Sequence, residues 1–391
     1  MTSNALVLQD KFDTLDANLN GELVERRHEI RTAIVALVAG VHVFYLGQPG
    51  VAKSLLVDRI DAYIEGARTF KVLMSRFTTP EEVFGPVSLK GLENDQFVRK
   101  IEGYLPTAEI GFLDEGFKAN SSILNNLLWA INERQYRQGV DVIEIPLSTL
   151  FLASNELPED DSLNALYDRL LFRHEVKPVR DQSNFLKMLR THRPVDPAPV
   201  LTWAEVEQAK AEARDVIIPE AVFNAVADLR KNLRAEGIEP TERRFVESMK
   251  AVKASAWLDG RDTADVEDLR PLQHVFWDQP DQSSTVDKIV LAIANPVDNE
   301  ARALLEEVEK LEASLDKIGS DEEKHRKGQE IHSKLRRAAK DLANLEKRAG
   351  NSRRRSEIIS EVRERLHSVT ERVLSDVFGF DPNNATIDTK P

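Results

Sequence analysis

Gly47-Gln48-Pro49-Gly50-Val51-Ala52-Lys53-Ser54 is the stretch whose reading decides the fold. It follows an apolar run over residues 41–46 and precedes a helix expected over 55–64, opened by Leu55. A strand, a loop and a helix in this order are what a phosphate cradle requires. Small residues let backbone N–H groups approach phosphate oxygens, and the helix N-terminus adds favourable partial charge. Lys53 is then placed to reach β and γ phosphates, and the Ser54 hydroxyl to ligate magnesium. The usual pattern has glycine where Ala52 stands, so the match is imperfect. A Gly/Pro turn with an incidental lysine is the competing reading.

Outward from this loop, candidate strands at 41–46, 69–73, 109–113, 149–153 and 172–176 alternate with helical patterns. That alternation predicts an α/β unit built on one open, mostly parallel, five-stranded sheet. Two hairpins are expected between the strands. One joins 87–90 to 97–100 across Asn94-Asp95, and the other joins 135–137 to 142–145 across Gly139. From 203 to 278 the pattern is wholly helical, and 190–199, with Pro194, Pro197 and Pro199, reads as a linker.

Beyond residue 296 the chain changes kind, with no proline over 297–381 and no aromatic residue over 301–377. Apolar residues fall at Leu304, Val308, Leu311, Leu315 and Ile318, then at Ile331, Leu335, Ala338, Leu342 and Leu345, then at Val362, Leu366, Val369 and Val373. Spacings of three and four mark an a/d seam and predict three coiled-coil-like helices of about 22, 28 and 26 residues. Breaks are expected at Gly319 and Gly350, and Ser320 with Glu323 reads as a capping box. The domain reading is therefore an α/β unit over 1–192, an all-α lid over 200–280, a helical arm over 297–378 and a disordered tail over 379–391.

Composition narrows the function classes. The 391 residues include 66 acidic and 53 basic side chains, a net charge of −13 that argues against a dedicated nucleic-acid coat. Residues 301–378 hold 18 basic and 16 acidic residues, so the acidity lies upstream, in the sheet and lid. The absence of cysteine excludes disulfides, thiolate nucleophiles, Cys-bearing zinc sites and iron–sulfur clusters, and a cytoplasmic setting is the default. No basic leader with an apolar stretch and no run of 18 apolar residues occurs, so a membrane span or secretion is not expected.

Three further features carry chemistry. Glu109-Ile110-Gly111-Phe112-Leu113-Asp114-Glu115 is an apolar strand ending in paired acids: Asp114 is placed to hold magnesium through water, and Glu115 to polarise an attacking water. The run Thr149-Leu150-Phe151-Leu152-Ala153 leads to Asn155, whose amide suits orienting the same water. Arg169 and Arg173, in Leu166-Tyr167-Asp168-Arg169-Leu170-Leu171-Phe172-Arg173, are candidates for a finger into a neighbour's site. Taken singly, each has a plainer reading: a solvated acidic doublet, an Asx cap before Pro158, and surface ion-pair arginines.

Together these features resemble the MoxR family of AAA+ ATPases, and within it the RavA-like subgroup. The likeness also rests on Ile123-Leu124-Asn125-Asn126-Leu127-Leu128-Trp129-Ala130-Ile131-Asn132-Glu133-Arg134-Gln135 and Ala153-Ser154-Asn155-Glu156-Leu157-Pro158, and covers roughly residues 8–290. Alanine at position 52 is usual in this family. The resemblance implies ATP and Mg2+ as cofactors, with Gly47 to Leu55 and Asp114 around the nucleotide and Ser54 and Asp114 on the metal. It implies Lys53 and Ser54 as the Walker A pair, Asp114 and Glu115 as Walker B, and Asn155 as sensor 1. Arg169 becomes the arginine finger, with Arg173 as its substitute. Arg243, with Arg244 as competitor, becomes a sensor 2 touching the γ-phosphate from the lid. Leu23-Val24-Glu25-Arg26-Arg27 resembles the adenine-side segment, and Gly116 replaces a common isoleucine, which would loosen the helix start.

The resemblance further implies a homo-hexameric ring that remodels protein clients, with the lid turning against the sheet and a VWA-domain protein as partner. Lys90 and Arg137, on the expected hairpins, are candidate client contacts. The β-rich module of RavA-like chains has no counterpart in 301–391. Two other classes stay open. A P-loop kinase or GTPase is opposed by the absence of Asn-Lys-x-Asp. A DNA-handling AAA+ protein, a helicase loader or restriction-type motor, would draw on Arg336-Arg337 and Arg353-Arg354-Arg355.

Overall fold

The computed structural model of the chain describes residues 3–158, 161–180, 182–190, 197–315, 321–349 and 357–378. Strands β1 (His42–Leu46), β2 (Thr69–Leu73), β3 (Ile110–Asp114), β4 (Thr149–Ser154) and β5 (Leu170–Glu175) form one parallel sheet in the order β2-β3-β4-β1-β5. All five expected strands are present, with ends displaced by at most two residues. β1 and β4 are buried along their whole length, as strands covered on both faces must be. From β1 the chain runs out to the edge at β2, steps back through β3 and β4, and crosses β1 to β5. The carboxyl ends of β1 and β4 therefore sit where the winding reverses, the position at which open α/β sheets take ligands.

On one face, Phe44, Leu113, Leu150, Leu152 and Leu170 join one core with Ile123, Leu124, Leu127 and Ile131 of the helix Ser121–Glu133. The helix Arg27–Ala39 contacts β1 and β5 and ends on Gly40, whose φ of 65° suits a glycine C-cap. The helix Ser3–Glu22, which the sequence pattern did not suggest, buries Leu8, Phe12, Leu15 and Leu19. Its Phe12 meets Trp257 edge-on at 5.6 Å, and Gln9 Nε2 donates to the Trp257 carbonyl at 2.7 Å.

The downstream helices are Trp203–Arg214, Glu220–Ala235 and Glu242–Leu258, followed by the 3-10 segment Val266–His274. The first and third pack on the helix Arg27–Ala39. Thr202 and Glu205 form a capping box at the first, and Thr241 caps the third.

The second expected hairpin exists, pairing Gln135–Gln138 with Asp141–Glu144 around Gly139 at φ 64°. The first does not. Ser88 caps a helical turn over Leu89–Leu92, and the return leg meets the outgoing one at the single bridge Val87–Arg99. The physical reason is local: a cap followed by Leu-Lys-Gly-Leu lacks the apolar–polar alternation of a strand.

From Leu291 onward the described residues form a second compact unit. Helices Pro296–Leu315, Asp321–Ala349 and Glu357–Phe378 bury Leu304, Val308, Leu311, Ile331, Leu335, Ala338, Leu342, Leu345, Val362, Val369 and Val373 in one seam, with Leu366 packed against it. No strand occurs among the described residues of this unit. Ile318, the breaks expected at Gly319 and Gly350, the cap at Ser320 and the tail over 379–391 lie outside the described residues.

Candidate functional site

The cradle starts as an extension of the sheet. Gly47 N donates to the Ser154 carbonyl at 3.0 Å, carrying the β1–β4 ladder one residue further. A Cβ on Gly47 would stand 2.5 Å from the Val176 carbonyl oxygen, so the loop leaves the sheet only with glycine there. Gly50 has φ 84° and Ala52 φ 69°, the left-handed region in each case. The helix Lys53–Ala62 then begins at the lysine itself. Gln48, Pro49, Gly50, Ser54 and Leu55 are exposed, whereas Val51 is buried beneath them.

Lys53 is the focus of the site. Its Nζ donates to the Gly47 carbonyl, to the Gln48 carbonyl at 3.2 Å and to Asn155 Oδ1 at 3.0 Å. Three strand ends thus converge: β1 supplies the loop, β4 supplies Asn155, and β3 supplies Asp114 and Glu115. Burial lowers the Lys53 pKa, and the Asp114 and Glu115 charges oppose that shift. Burial raises the Asp114 pKa, against the backbone N–H of Glu115 and the charge of Lys53. That N–H donates to Asp114 Oδ1 at 3.1 Å.

Glu115 itself is held at φ 53°, a rare conformation for a side-chain-bearing residue. Its buried Oε2 lies 3.1 Å from Lys118 Nζ yet accepts no hydrogen bond. Gly116 does not loosen the turn it opens: a Cβ there would lie 2.5 Å from Leu152 Cγ, so glycine lets this turn pack directly on β4.

The donor set fits a nucleotide with magnesium. Ser54 and Asp114 would supply the protein oxygens, and no group of three or more His, Cys, Asp or Glu side chains able to hold a metal occurs among the described residues. A magnesium ion bound by one or two protein oxygens completes its shell with water and phosphate.

The arginines separate sharply. Arg173 is wholly buried: Nη1 donates to the Trp277 carbonyl at 2.7 Å and to Asp278 Oδ1 at 2.6 Å, and Nη2 to the Tyr167 carbonyl at 2.9 Å. Its guanidinium carbon stands 3.7 Å from the Tyr167 ring centroid. As a substitute finger it is excluded, because no side chain so enclosed reaches another molecule. Arg244, 4% exposed, is likewise engaged, with Asp278 and Asp168.

Arg169 and Arg243 are the accessible pair. Both line a groove of about 1070 Å³ together with Gly40, His42, Asn132 and Lys250. Burial and then the nearby Arg243 charge lower the Arg169 pKa. This groove lies at the amino ends of the strands. Arg169 precedes Leu170, which is paired with His42, whereas the cradle follows Leu46, which is paired with Glu175. One strand length, about 15 Å, separates them. The expectation that Arg243 touches its own subunit's γ-phosphate does not survive this placement; like Arg169, it faces away from its own cradle.

Other residues of the quoted segments support the site or lie apart from it. Arg26, 6% exposed, braces the cradle from behind, donating from Nη2 to the Val51 carbonyl at 3.1 Å and the Lys177 carbonyl at 2.6 Å. Arg134, with φ 54°, ties the end of the helix Ser121–Glu133 to the Gly40 and Ser148 carbonyls at 2.9 and 3.0 Å; burial pushes its pKa down to about 10. Lys90 and Arg137 are exposed, Arg137 over the Trp129 ring at 5.3 Å. The two excursions carrying them meet where Gln138 Nε2 donates to the Arg99 carbonyl at 2.7 Å.

Comparison with known proteins agrees with this architecture. Residues 10–213 match the MoxR domain of the MoxR-vWA-beta-propeller ternary systems, and residues 221–290 match an AAA lid domain. Two uncharacterised proteins of Methanocaldococcus jannaschii are each 40% identical, over 361 and 359 residues, covering 91% and 90% of this chain and 94% and 95% of their own. The solved structure of a putative ATPase from Cytophaga hutchinsonii shares the fold at a TM-score of 0.60, with 17% identity over 74% of this chain and 96% of that one. No helix among the described residues is long and apolar enough to cross a membrane. The chain belongs to the MoxR family of AAA+ ATPases.

Proposed function

We propose that the chain hydrolyses ATP between neighbouring subunits of a ring, a hexamer by family resemblance, and uses the cycle to remodel protein clients. The observation that carries this reading is the convergence on Lys53: Asn155 at 3.0 Å, with the Asp114 and Glu115 carboxylates acting on the same ammonium. Lys53 and the N–H groups of the exposed loop would hold the phosphates, and Ser54 and Asp114 would hold a magnesium ion, which would supply positive charge against them. Glu115 polarises the attacking water and Asn155 orients it. Arg169 and Arg243 belong to the neighbour's nucleotide, since they stand at the far end of their own sheet.

A VWA-domain partner, and a third component of β-propeller type, are proposed from the description of the matching domain. The RavA-like placement rests on the quoted motif residues, and a cytoplasmic setting on the cysteine-free sequence. Glu115→Gln is the direct test. It should lower hydrolysis about a hundredfold or more while ATP stays bound through gel filtration. A variant that hydrolyses at the wild-type rate would remove Glu115 from its role. The same variant, loaded with ATP, is the bait for the partner and client.

A further inference from the structure

Arg169 and Arg243 are 74 residues apart in sequence and come from different layers, yet they line one groove. What brings them together is a half-buried polar joint made by their immediate neighbours, in which only Arg173 and Arg244 are enclosed. Asp168, next to Arg169, accepts from Thr241 Oγ1 at 2.8 Å and from Arg244 Nε at 3.2 Å. Thr241 caps the helix whose second residue is Arg243, and Arg244 is the third. Arg244 also shares Asp278 with Arg173. Burial opposes ionisation of Asp278, but the two arginines hold its carboxyl below the usual range. Strand β5, the lid helix Glu242–Leu258 and the segment after Val266–His274 are thereby riveted at one point.

The same joint leaves Arg169 and Arg243 on one groove, where the Arg243 charge adds to burial in disfavouring the charge of Arg169. Arg169 is steadied from its other side, where Nε donates to Asn132 Oδ1. Two cations lining one groove form a site for a multiply charged anion, and the half-buried joint beside them sets the backbone from which both project.

We propose that Asp168 is a positioning residue that fixes Arg169 and Arg243 as one rigid pair, presented to the nucleotide phosphates of a neighbouring subunit. This rests on the ring reading and adds to it the device that sets the pair. A movement of the lid then carries both arginines together, because Asp168 and Thr241 couple them directly.

The experiment uses full-length protein and mixed rings. Asp168→Asn keeps the volume and removes the charge; its kcat should fall about tenfold, with KM for ATP within about twofold, because its own cradle is intact. Mixed one-to-one with Lys53→Ala, whose arginines are intact, it should recover to about a quarter of the wild-type rate, the share of interfaces joining a sound cradle to a sound pair. Arg169→Ala mixed with Lys53→Ala is the control and should recover equally. Thr241→Ser should retain activity and Thr241→Val lose it, each with a near-native melting curve. Wild-type kcat in Asp168→Asn overturns the proposal. So does an Asp168→Asn mixture that stays inactive while the Arg169→Ala mixture recovers, since Asp168 then acts only within its own subunit. If neither mixture recovers, the trans reading itself fails, and the proposal falls with it.

Discussion

Arg169 and Arg173 differ by four positions, and the structure predicts opposite consequences for their loss. Replacing Arg173 by alanine strips hydrogen bonds from the Trp277, Tyr167 and Leu170 carbonyls, at about 1 kcal/mol each. It also takes one partner from Asp278 and the face of the Tyr167 ring. The electrostatic part is discounted, because the Asp278 side chain is 40% exposed and keeps Arg244. The total is about 3–5 kcal/mol, the range for breaking one side of a buried pair. Spread over the 290-residue unit, that lowers the melting midpoint by about 5–8 °C. Arg169→Ala loses only its contacts to Asn132 and the Ala165 carbonyl at a half-buried edge. Its stability should stay within about 1 kcal/mol of wild type, while hydrolysis falls about a thousandfold or more with nucleotide binding preserved. Thermal denaturation followed by circular dichroism, paired with an ATPase assay, reads both. Arg173→Ala protein with a native midpoint but no turnover would refute the reasoning, as would Arg169→Ala protein that melts as early as Arg173→Ala.

Other outcomes turn on single positions. Ala52→Gly should stabilise the fold by about 0.5–1 kcal/mol, because alanine at φ 69° carries left-handed strain that glycine does not; an unchanged or lower midpoint would count against that geometry. Gly116→Ala should destabilise by about 1–3 kcal/mol through the collision with Leu152, measured by urea unfolding. Stability should also fall in mild acid through the adjoining pair His174 and His274, ring centroids 4.2 Å apart. Burial brings His174 down to about 3 and takes His274 well below its ordinary 6.5. Both are neutral when folded, so their contribution is full above pH 6.5 and is lost as pH drops below it, by about 1.4 kcal/mol per pH unit for each histidine. His174→Phe should flatten the decline between pH 6.5 and 5; an unaltered slope would remove His174 from it and leave it to His274, His42 or carboxylates.

Most of the architecture was legible because its signals are local. Gly47 to Ser54 between an apolar strand and a helix, the acids at the end of β3 and the three-and-four spacing from Leu304 to Val373 are all properties of adjacent residues. The first expected hairpin failed for the same reason in reverse. Residues 87–100 do turn back, but Ser88 capping Leu89–Leu92 competes with strand pairing, and apolar content cannot separate those outcomes. The helix Ser3–Glu22 went unread because its stripe makes sense only against Trp257.

By itself the sequence pointed to the candidate nucleotide roles: which residues form the loop after β1, which acids follow β3, and which asparagine follows β4. Those roles depend on residue type and on position along a strand, and parallel strands bring their carboxyl ends together whatever else the chain does. Tertiary structure alone decided the arginines. Arg169, Arg173, Arg243 and Arg244 are alike in sequence, yet two are enclosed around Asp278 and two line a groove one strand length from their own cradle. The reason is physical: whether a guanidinium is a rivet or a finger depends on the carboxylates and carbonyls that surround it, and these arrive from segments up to 105 residues away.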